Sequence, residues 1–411
     1  MRHHRLAWVA AVSAMTALPF APVTAQAAVP ARALTPSDVV APTVVKHVST
    51  DVDGDGTRDS ISLTYLGANQ FTLTATTTKG TSASVTFTSV VDPDHGTAGS
   101  AWYGASAMDG RKGSELIVKR NTPDSILSGG PTALSVYTWR SGKLVAEAAP
   151  ATPKGKVWVV NDDGSPARGY RFFSSHGHRY VDASWLKAVS NRTGWKGSVV
   201  RSVWRHGAWV KVSTRSTKTL TWGSWSIAGP RLLLGQVNVD VNGDSRPDLV
   251  SFYQNGIRHY VVKVATGKKT VEQGFAAEDA GFVGAAALDA VPGAELIVKT
   301  EWETPLWKVL TWRDGKLTSL PGPNAHAGSA GVWAGAGDET VTNYTTSVED
   351  GKHYVTETWK ADESDIAHVK KWVWQANGWT TVSDWTQVTL TDDQVRAIHW
   401  RGFTAADLVT P

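Results

Sequence analysis

The stretch DVDGDGTRDSISLTY, residues 51–65, joins an acidic nine-residue loop to a segment in which polar and apolar residues alternate. Alternation with a period of two is typical of a β-strand that buries one face. The pattern recurs as DVNGDSRPDLVSFY at residues 240–253, in the second half of the chain. Two such units indicate an all-β chain built by duplication.

Four more pairs of similar segments follow in the same order in both halves. They are residues 109–119 and 289–299, 136–144 and 309–317, 177–181 and 351–355, and 204–209 and 374–379. Each half divides into modules of about 55 residues that begin near the acidic motifs, and a module of that length holds four short strands, as a propeller blade does. We therefore predict a duplicated β-repeat unit that forms a β-propeller of six or seven blades, with two tandem β domains as the alternative.

The sequence at the two termini predicts segments that lie outside the repeats. Residues 1–27 have a basic start, an apolar run and an A-x-A site, which is the pattern of a secretory signal peptide. We expect cleavage near Ala27 and a secreted protein. The predicted parts of the rest are a linker at 28–42, a first β-repeat half at 43–229, a second at 230–390, and a C-terminal tail at 391–411 with a short helix.

Composition narrows the function classes. The chain has no cysteine, so no disulfide stabilises it. Its net charge of +4 is small and both signs are interspersed, so nucleic acid is not a predicted partner. No segment after the signal peptide is long and apolar enough to span a membrane.

Each acidic loop carries oxygen-bearing side chains at loop positions 1, 3, 5 and 9. They are Asp51, Asp53, Asp55 and Asp59 in the first loop, and Asp240, Asn242, Asp244 and Asp248 in the second. The backbone carbonyls of Thr57 and Arg246, at position 7, complete the predicted ligand sets. Calcium is the expected ion, because it accepts six to eight oxygens in flexible geometry. An EF-hand is excluded, because position 12 is serine and the flanking segments are strand-like.

The second loop and the strand after it resemble the FG-GAP/VCBS repeat family of exported bacterial proteins, whose signature is Asp-x-Asn-Gly-Asp-Gly-x-x-Asp. The resemblance implies β-propeller blades and calcium held by the side chains named above. Ser245 departs from the signature, because the first loop has Gly56 at this position, where a positive φ is often needed. We expect the first loop, which offers four carboxylates against three, to bind calcium more tightly. The loops at Asp109 and Asp289 are interpreted as degenerate copies without a metal.

No catalytic motif is present. Glu115 and Glu295 occupy equivalent positions of the duplication, whereas the acid and base of a glycosidase need different environments, so both are interpreted as structural. The chain has 20 tryptophans. Trp139 and Trp312 are predicted core residues, while Trp302, Trp333 and Trp379 lie in loop or turn contexts where an open ring face would stack on a sugar.

These observations predict an exported calcium-binding β-repeat protein that acts as a non-enzymatic recognition module, with a carbohydrate as its concrete ligand. The expected partner is a glycan or a cell-surface protein. Two alternatives stay open: a glycan-active hydrolase or lyase, and a structural envelope protein. The sequence assigns no catalytic residue.

Overall fold

The computed structural model describes residues 41–410 apart from short internal segments. Those segments are 92–97, 124–130, 153–157, 162–166, 189–194, 221–226, 229–230, 257, 268, 278–279, 302–305, 324–331, 335–339, 362–365, 376–377, 384–385, 392–402 and 406–408. The predicted signal peptide, the predicted C-terminal helix and Trp302 therefore lie outside the described residues. Among the residues described, no helix has the length and hydropathy needed to cross a membrane.

The described residues form six units of four antiparallel strands, which we number as sheets 1 to 6, and each unit has its strands in chain order. Sheets 2 and 4 are joined into one continuous sheet by the pairing of their first strands at Ala105 and Leu233. In the first half, sheet 1 contains β1 (Thr43–Thr50), β2 (Asp59–Gly67), β3 (Gln70–Thr76) and β4 (Ser82–Thr88). Sheet 2 contains β5 (Trp102–Ser106), β6 (Glu115–Lys119), β7 (Thr132–Arg140) and β8 (Lys143–Ala146). Sheet 3 contains β10 (Ala167–Ser175), β11 (His178–Ala188), β12 (Trp195–Arg205) and β13 (Ala208–Leu220).

The second half repeats this arrangement. Sheet 4 contains β15 (Leu232–Val239), β16 (Asp248–Gln254), β17 (His259–Ala265) and β18 (Thr270–Ala276). Sheet 5 contains β19 (Gly281–Ala286), β20 (Glu295–Glu301), β21 (Leu306–Arg313) and β22 (Lys316–Ser319). Sheet 6 contains β24 (Thr340–Glu349), β25 (Lys352–Ala361), β26 (Ile366–Gln375) and β27 (Gly378–Thr381), with β28 (Thr386–Thr389) also paired to β26.

Short extra strands occur at matching places in both halves. The third strands β7 and β21 each pair with one more strand, β9 (Val159–Val160) and β23 (Val332–Ala334). The first strands β10 and β24 each gain a parallel strand, β14 (Ile227–Ala228) and β29 (Phe403–Ala405). Val409 forms an antiparallel β-bridge with Ala285 in the first strand of sheet 5. In the same way, Leu233 pairs with Ala105 in the first strand of sheet 2. The predicted C-terminal tail therefore contributes strands to the second half.

The predicted all-β, duplicated fold is confirmed, and its unit is a blade-like sheet of four strands. The module boundaries differ from the prediction. Each acidic motif lies in the connection between the first and second strands of its sheet, so the sheet begins one strand earlier than the motif. The strand before the motif was hard to recognise, because β1 is largely exposed or half-buried and shows little alternation.

Continuous apolar runs mark strands that are buried on both faces. In β6, Leu116 and Val118 face the core between sheets 1 and 2, while Ile117 faces the core between sheets 2 and 3. The run ELIVK recurs in β20, where alternate residues again face two different cores, one between sheets 4 and 5 and one between sheets 5 and 6. Side chains that alternate between two packed neighbours explain why the three central residues of this run, Leu-Ile-Val, are all apolar.

The two halves share hydrophobic cores. Leu233 of β15 packs into the core of sheets 1 and 2, and Leu232 packs into the core of sheets 2 and 3. Gln236 of the same strand accepts a hydrogen bond from the backbone N–H of Ser49 at 2.6 Å. The halves therefore do not form the two separate tandem domains of the alternative prediction.

Candidate functional site

The first acidic loop is wound tightly by its own carboxylates. Asp59 is fully buried and accepts hydrogen bonds from the backbone N–H of Val52 (2.8 Å) and of Thr78 (3.0 Å). Asp51 accepts from the N–H of Gly54 and of Gly56 at 2.7 and 2.9 Å. One carboxylate oxygen from each of Asp51, Asp53 and Asp59 lies within 4.8 Å of the others. The loop thus gathers hard oxygen ligands around one point.

The second acidic loop has the same hydrogen bonds. Asp248 accepts from the N–H of Val241 at 3.1 Å, and Asp240 accepts from the N–H of Gly243 and of Ser245, both at 2.7 Å. At position 7 of the two loops, the backbone N–H groups of Thr57 and Arg246 donate to Asp55 and Asp244, and the N–H of Asp244 donates to Asn242. All ten predicted site residues therefore lie in two equivalent loops of one conformation.

Ser245 adopts the left-handed backbone conformation that glycine provides in the first loop. Its φ is 62°, and that of Gly56 is 88°. Such a conformation costs a residue with a Cβ roughly 1–2 kcal/mol. The serine thus strains the second loop without changing its path.

We expect Ser245→Gly to raise the free energy of unfolding by about 1 kcal/mol, because it relieves this strain while adding some chain entropy to the unfolded state. Urea denaturation of the mature protein measures the effect. Gly56→Ser is the matched control and should lower stability by a similar amount. Equal midpoints for both variants and the wild type would contradict the assignment of strain.

The loops at Asp109 and Asp289 keep the same framework with fewer carboxylates. Glu115 takes the place of Asp59 and accepts a hydrogen bond from the N–H of Met108 at 2.5 Å. Asp109 takes the place of Asp53 and accepts from the N–H of Arg111 at 2.7 Å. The oxygens of positions 1 and 5 are missing, because Ala107 and Arg111 stand there.

These degenerate loops supply their own cation. Arg140, at the end of β7, donates to Asp109 Oδ2 at 2.6 Å, and Arg313, at the end of β21, donates to Asp289. In the first acidic loop, Lys79 approaches from the turn after β3, with Nζ 2.9 Å from Asp55 Oδ2 and 3.7 Å from Asp53 Oδ2. In three of the four loops, a carboxylate at position 3 or 5 therefore lies against an arginine or a lysine.

Each acidic loop also contacts the degenerate loop of the next sheet. The carbonyl of Asp51 accepts from the N–H of Ser114 at 2.7 Å, and that of Asp240 accepts from the N–H of Ala294 at 2.8 Å. A Cβ on Gly113 would lie 2.5 Å from the carbonyl oxygen of Val52, which explains the glycine there. The acidic loops therefore help to join neighbouring sheets.

A second acidic cluster lies between sheets 2 and 3. Asp109, Glu115 and Glu147 are all buried, and one oxygen of each lies within 4.8 Å of the others. The sequence analysis missed Glu147, which directly follows β8. The signal was present in the duplication, because the segment 136–144 matches 309–317 without a gap and its extension places Glu147 opposite Leu320.

Two carboxyl groups of this cluster, those of Glu115 and Glu147, have raised pKa values. Burial raises the pKa of Glu147 to about 8, and the nearby Glu115 carboxylate adds to the effect. Burial, followed by the charge of Asp109, raises the pKa of Glu115 to about 7. Glu295, the counterpart of Glu115, is also raised to about 8, mainly by burial. The raised pKa of Glu115 therefore belongs to the repeated framework, while Glu147 is specific to the first half.

A cavity of about 250 Å³ opens beside Glu147. Its lining residues include Trp204, Arg140 and Thr138 together with small apolar residues. Glu147 Oε1 accepts a hydrogen bond from Trp209 Nε1 at 2.8 Å. Glu147 Oε2 is buried and has no hydrogen-bond partner among the described residues.

The expectation of an open tryptophan face is wrong for Trp333, which is 0 % exposed. Its Nε1 donates to the carbonyl of Leu320 at 2.9 Å, which fixes the ring inside the core of sheets 5 and 6. Trp379 is half-buried, and its Nε1 donates to the carbonyl of Pro321 at 2.8 Å. Trp139 is buried as predicted. Trp333 lies in the short strand β23, which pairs with β21, so the expected loop context was wrong.

Comparisons with known proteins leave the family open. No family model matches the chain, and no curated protein matches it. Among solved structures, AofleA from Arthrobotrys oligospora is 12 % identical with a TM-score of 0.23, covering 84 % of this chain and 87 % of its own. The Aleuria aurantia lectin, a six-bladed β-propeller with a fucose recognition mode, is 11 % identical with a TM-score of 0.23, covering 84 % of this chain and 96 % of its own. TM-scores of this size do not establish a shared fold.

Proposed function

We propose that the chain is an exported, calcium-binding β-repeat protein that acts as a non-enzymatic recognition module for a glycan. The observation that carries the calcium part is the comparison of the four loops within this one chain. Two loops lack the carboxylates of positions 1 and 5 and hold an arginine against the acidic residue at position 3. The two complete loops offer the additional oxygens that a metal ion requires.

The ligand chemistry fits calcium. The donors are carboxylate and amide oxygens, which hard cations prefer over soft ones. Asp51, Asp53, Asp55 and Asp59 would hold one ion, and Asp240, Asn242, Asp244 and Asp248 the other. A bound ion would offset the repulsion among carboxylates crowded into one turn, and it would stiffen the contact between each acidic loop and the next sheet.

We expect two calcium ions per mature chain, with dissociation constants near ~10⁻⁴–10⁻³ M, as in extracellular modules. Asp55→Ala should abolish the first site and Asp244→Ala the second. Lys79→Ala should tighten the first site, because the Lys79 ammonium occupies the same carboxylates that would bind the ion. Calorimetric titration measures all four proteins.

The loops would be simple turns if millimolar calcium gave neither heat nor a shift of the melting temperature. If Lys79→Ala bound calcium as the wild type does, the two calcium sites would still be supported. Only the claim that Lys79 competes with the ion would then be wrong.

One observation favours the hydrolase alternative. Glu115 and Glu147 lie close together, and the duplication does not repeat the pair. Glu115, however, is only 2 % exposed, and it accepts hydrogen bonds from Met108 and Thr138. A carboxylate held in this way has no access to a substrate, so recognition is the better supported function. Release of reducing sugar from a glycan that binds would reverse this order.

A further inference from the structure

The first half carries a carboxylate where the second half carries a leucine in the same backbone frame. The N–H of Glu147 donates to the carbonyl of Val136, and the N–H of Leu320 donates to that of Val309. The backbone carbonyls of Glu147 and Leu320 accept equivalent indole N–H groups, from Trp158 and Trp333 respectively, both at 2.9 Å. The fold thus accommodates leucine at this place in the second half, where the indole N–H of Trp379 donates to the carbonyl of Pro321. In the first half Glu147 Oε1 accepts the equivalent N–H of Trp209, so only Oε2 is left without a hydrogen bond among the described residues.

Glu147 is 8 % exposed and lines the 250 Å³ cavity, and its Oε2 is buried without a hydrogen-bond partner among the described residues. A buried polar atom without a partner is costly, so its retention points to a ligand that completes it. The missing partner is a group that can both donate and accept, such as a hydroxyl, because this buried carboxyl keeps its proton at neutral pH and a protonated carboxyl offers an O–H donor as well as an acceptor oxygen.

The charges around the cavity indicate which class of ligand it would bind. Arg140 neutralises Asp109 at 2.6 Å, and Arg179 lies close enough to influence Glu115 and Asp109. Arg111 lies with its guanidinium 6.0 Å from the Trp204 ring centre. Asp109 is thus already paired with Arg140, and Glu147 keeps its proton at neutral pH. With no unpaired negative charge at the cavity among the described residues, a neutral ligand is favoured over an ammonium group or a metal ion.

The walls set the size and shape. The cavity is smaller than the ~300–1,000 Å³ of drug-sized sites, so it admits one ring and not a chain. Trp204 is half-buried and packs edge-on to Trp209 at 5.0 Å, which holds its ring in place. An aromatic wall with fixed polar groups suits a ring that has one apolar face and hydroxyls at its rim.

We propose that the cavity between sheets 2 and 3 binds a single neutral sugar residue, with a sugar hydroxyl hydrogen-bonded to the Glu147 carboxyl group and the ring against Trp204. This inference rests on the proposed glycan recognition and assigns its site. It also predicts one sugar site per chain, because Leu320 replaces the carboxylate in the second half.

The test is a glycan array of neutral, acidic and amino sugars probed with the mature protein, followed by calorimetry with the strongest binder. We expect a neutral terminal sugar to bind with a stoichiometry of one, and Glu147→Leu and Trp204→Ala to weaken binding at least tenfold. Trp374→Ala, at the place that corresponds to Trp204 in the second half, is the matched control and should bind as the wild type does. Melting curves confirm that each variant is folded.

Binding that survives Glu147→Leu would overturn the site and leave glycan recognition intact. Binding of amino sugars alone, or a loss in Trp374→Ala equal to that in Trp204→Ala, would also overturn it. If no sugar binds at millimolar concentration, both this site and glycan recognition fall, and the calcium titration is judged separately.

Discussion

Glu147→Leu is expected to stabilise the protein by ~2–4 kcal/mol at pH 9 and to give no gain at pH 5. The benefit of removing the buried titrating group is partly offset by the loss of the acceptor for the Trp209 indole N–H. The carboxyl of Glu147 is buried, and its pKa is raised from 4.5 to about 8. The folded state therefore holds a proton that the unfolded state loses above its ordinary pKa. Each unit of pKa difference is worth about 1.36 kcal/mol. The wild type should lose stability as the pH rises from about 4.5 to about 8.

Leucine at this position removes the titrating group and fills the space that Leu320 fills in the second half. Urea denaturation at a series of pH values compares the two proteins. Glu147→Gln is the control, because it keeps the buried polar group and removes only the ionisation. It should flatten the pH dependence without the full gain in stability. Parallel pH profiles for the wild type and Glu147→Leu would show that Glu147 does not titrate in this range.

The same variant links stability to recognition. A residue that costs free energy in the fold is most simply explained by a gain elsewhere, and the Glu147 carboxyl group, which lines the cavity and has one oxygen without a partner among the described residues, is where that gain would arise. A protein that becomes more stable and loses its sugar has lost a binding group and not its fold. Few substitutions separate the two effects as cleanly.

Local pattern was sufficient for much of the fold. Alternation in residues 59–65 predicted β2, and the acidic loops fold as equivalent turns because their hydrogen bonds are made within nine residues. The doubly buried run of β6 was readable as a strand, but not as one packed between two sheets. That distinction depends on neighbours that come from distant parts of the chain.

The cluster around Glu147 could not be predicted in the same way. Glu147 follows β8, Glu115 begins β6, and Trp209 belongs to sheet 3, so their contact exists only after three elements pack. A single glutamate among Ala and Pro residues carries no motif. Comparison of the two halves was the available signal, since a charged residue opposite Leu320 breaks the pattern of the repeat.

The tryptophans show the opposite error, in which a local context suggested too much. Trp333 lies in a short strand after a long connection, and such a context favours exposure. The ring instead enters the core of sheets 5 and 6, where it meets Tyr344 at 5.2 Å and Trp379 at 5.6 Å, both edge-on. Its indole N–H also donates a hydrogen bond to the carbonyl of Leu320, the residue that follows β22. The burial of Trp333 therefore depends on contacts with residues that are not its sequence neighbours, including the hydrogen bond to Leu320, 13 positions earlier in the chain.

We therefore expect Trp333→Ala to lower the free energy of unfolding by ~3–5 kcal/mol, as large core deletions do. The cost has two parts, a cavity among aromatic rings and a buried carbonyl of Leu320 that loses its donor. Trp158→Ala is the matched variant, because Trp158 makes the same bond to the carbonyl of Glu147 and should cost a similar amount. Trp379→Ala removes a half-buried ring and should cost less. Chemical denaturation of the three variants measures the order, and a Trp333→Ala protein as stable as the wild type would show that the ring does not support the core.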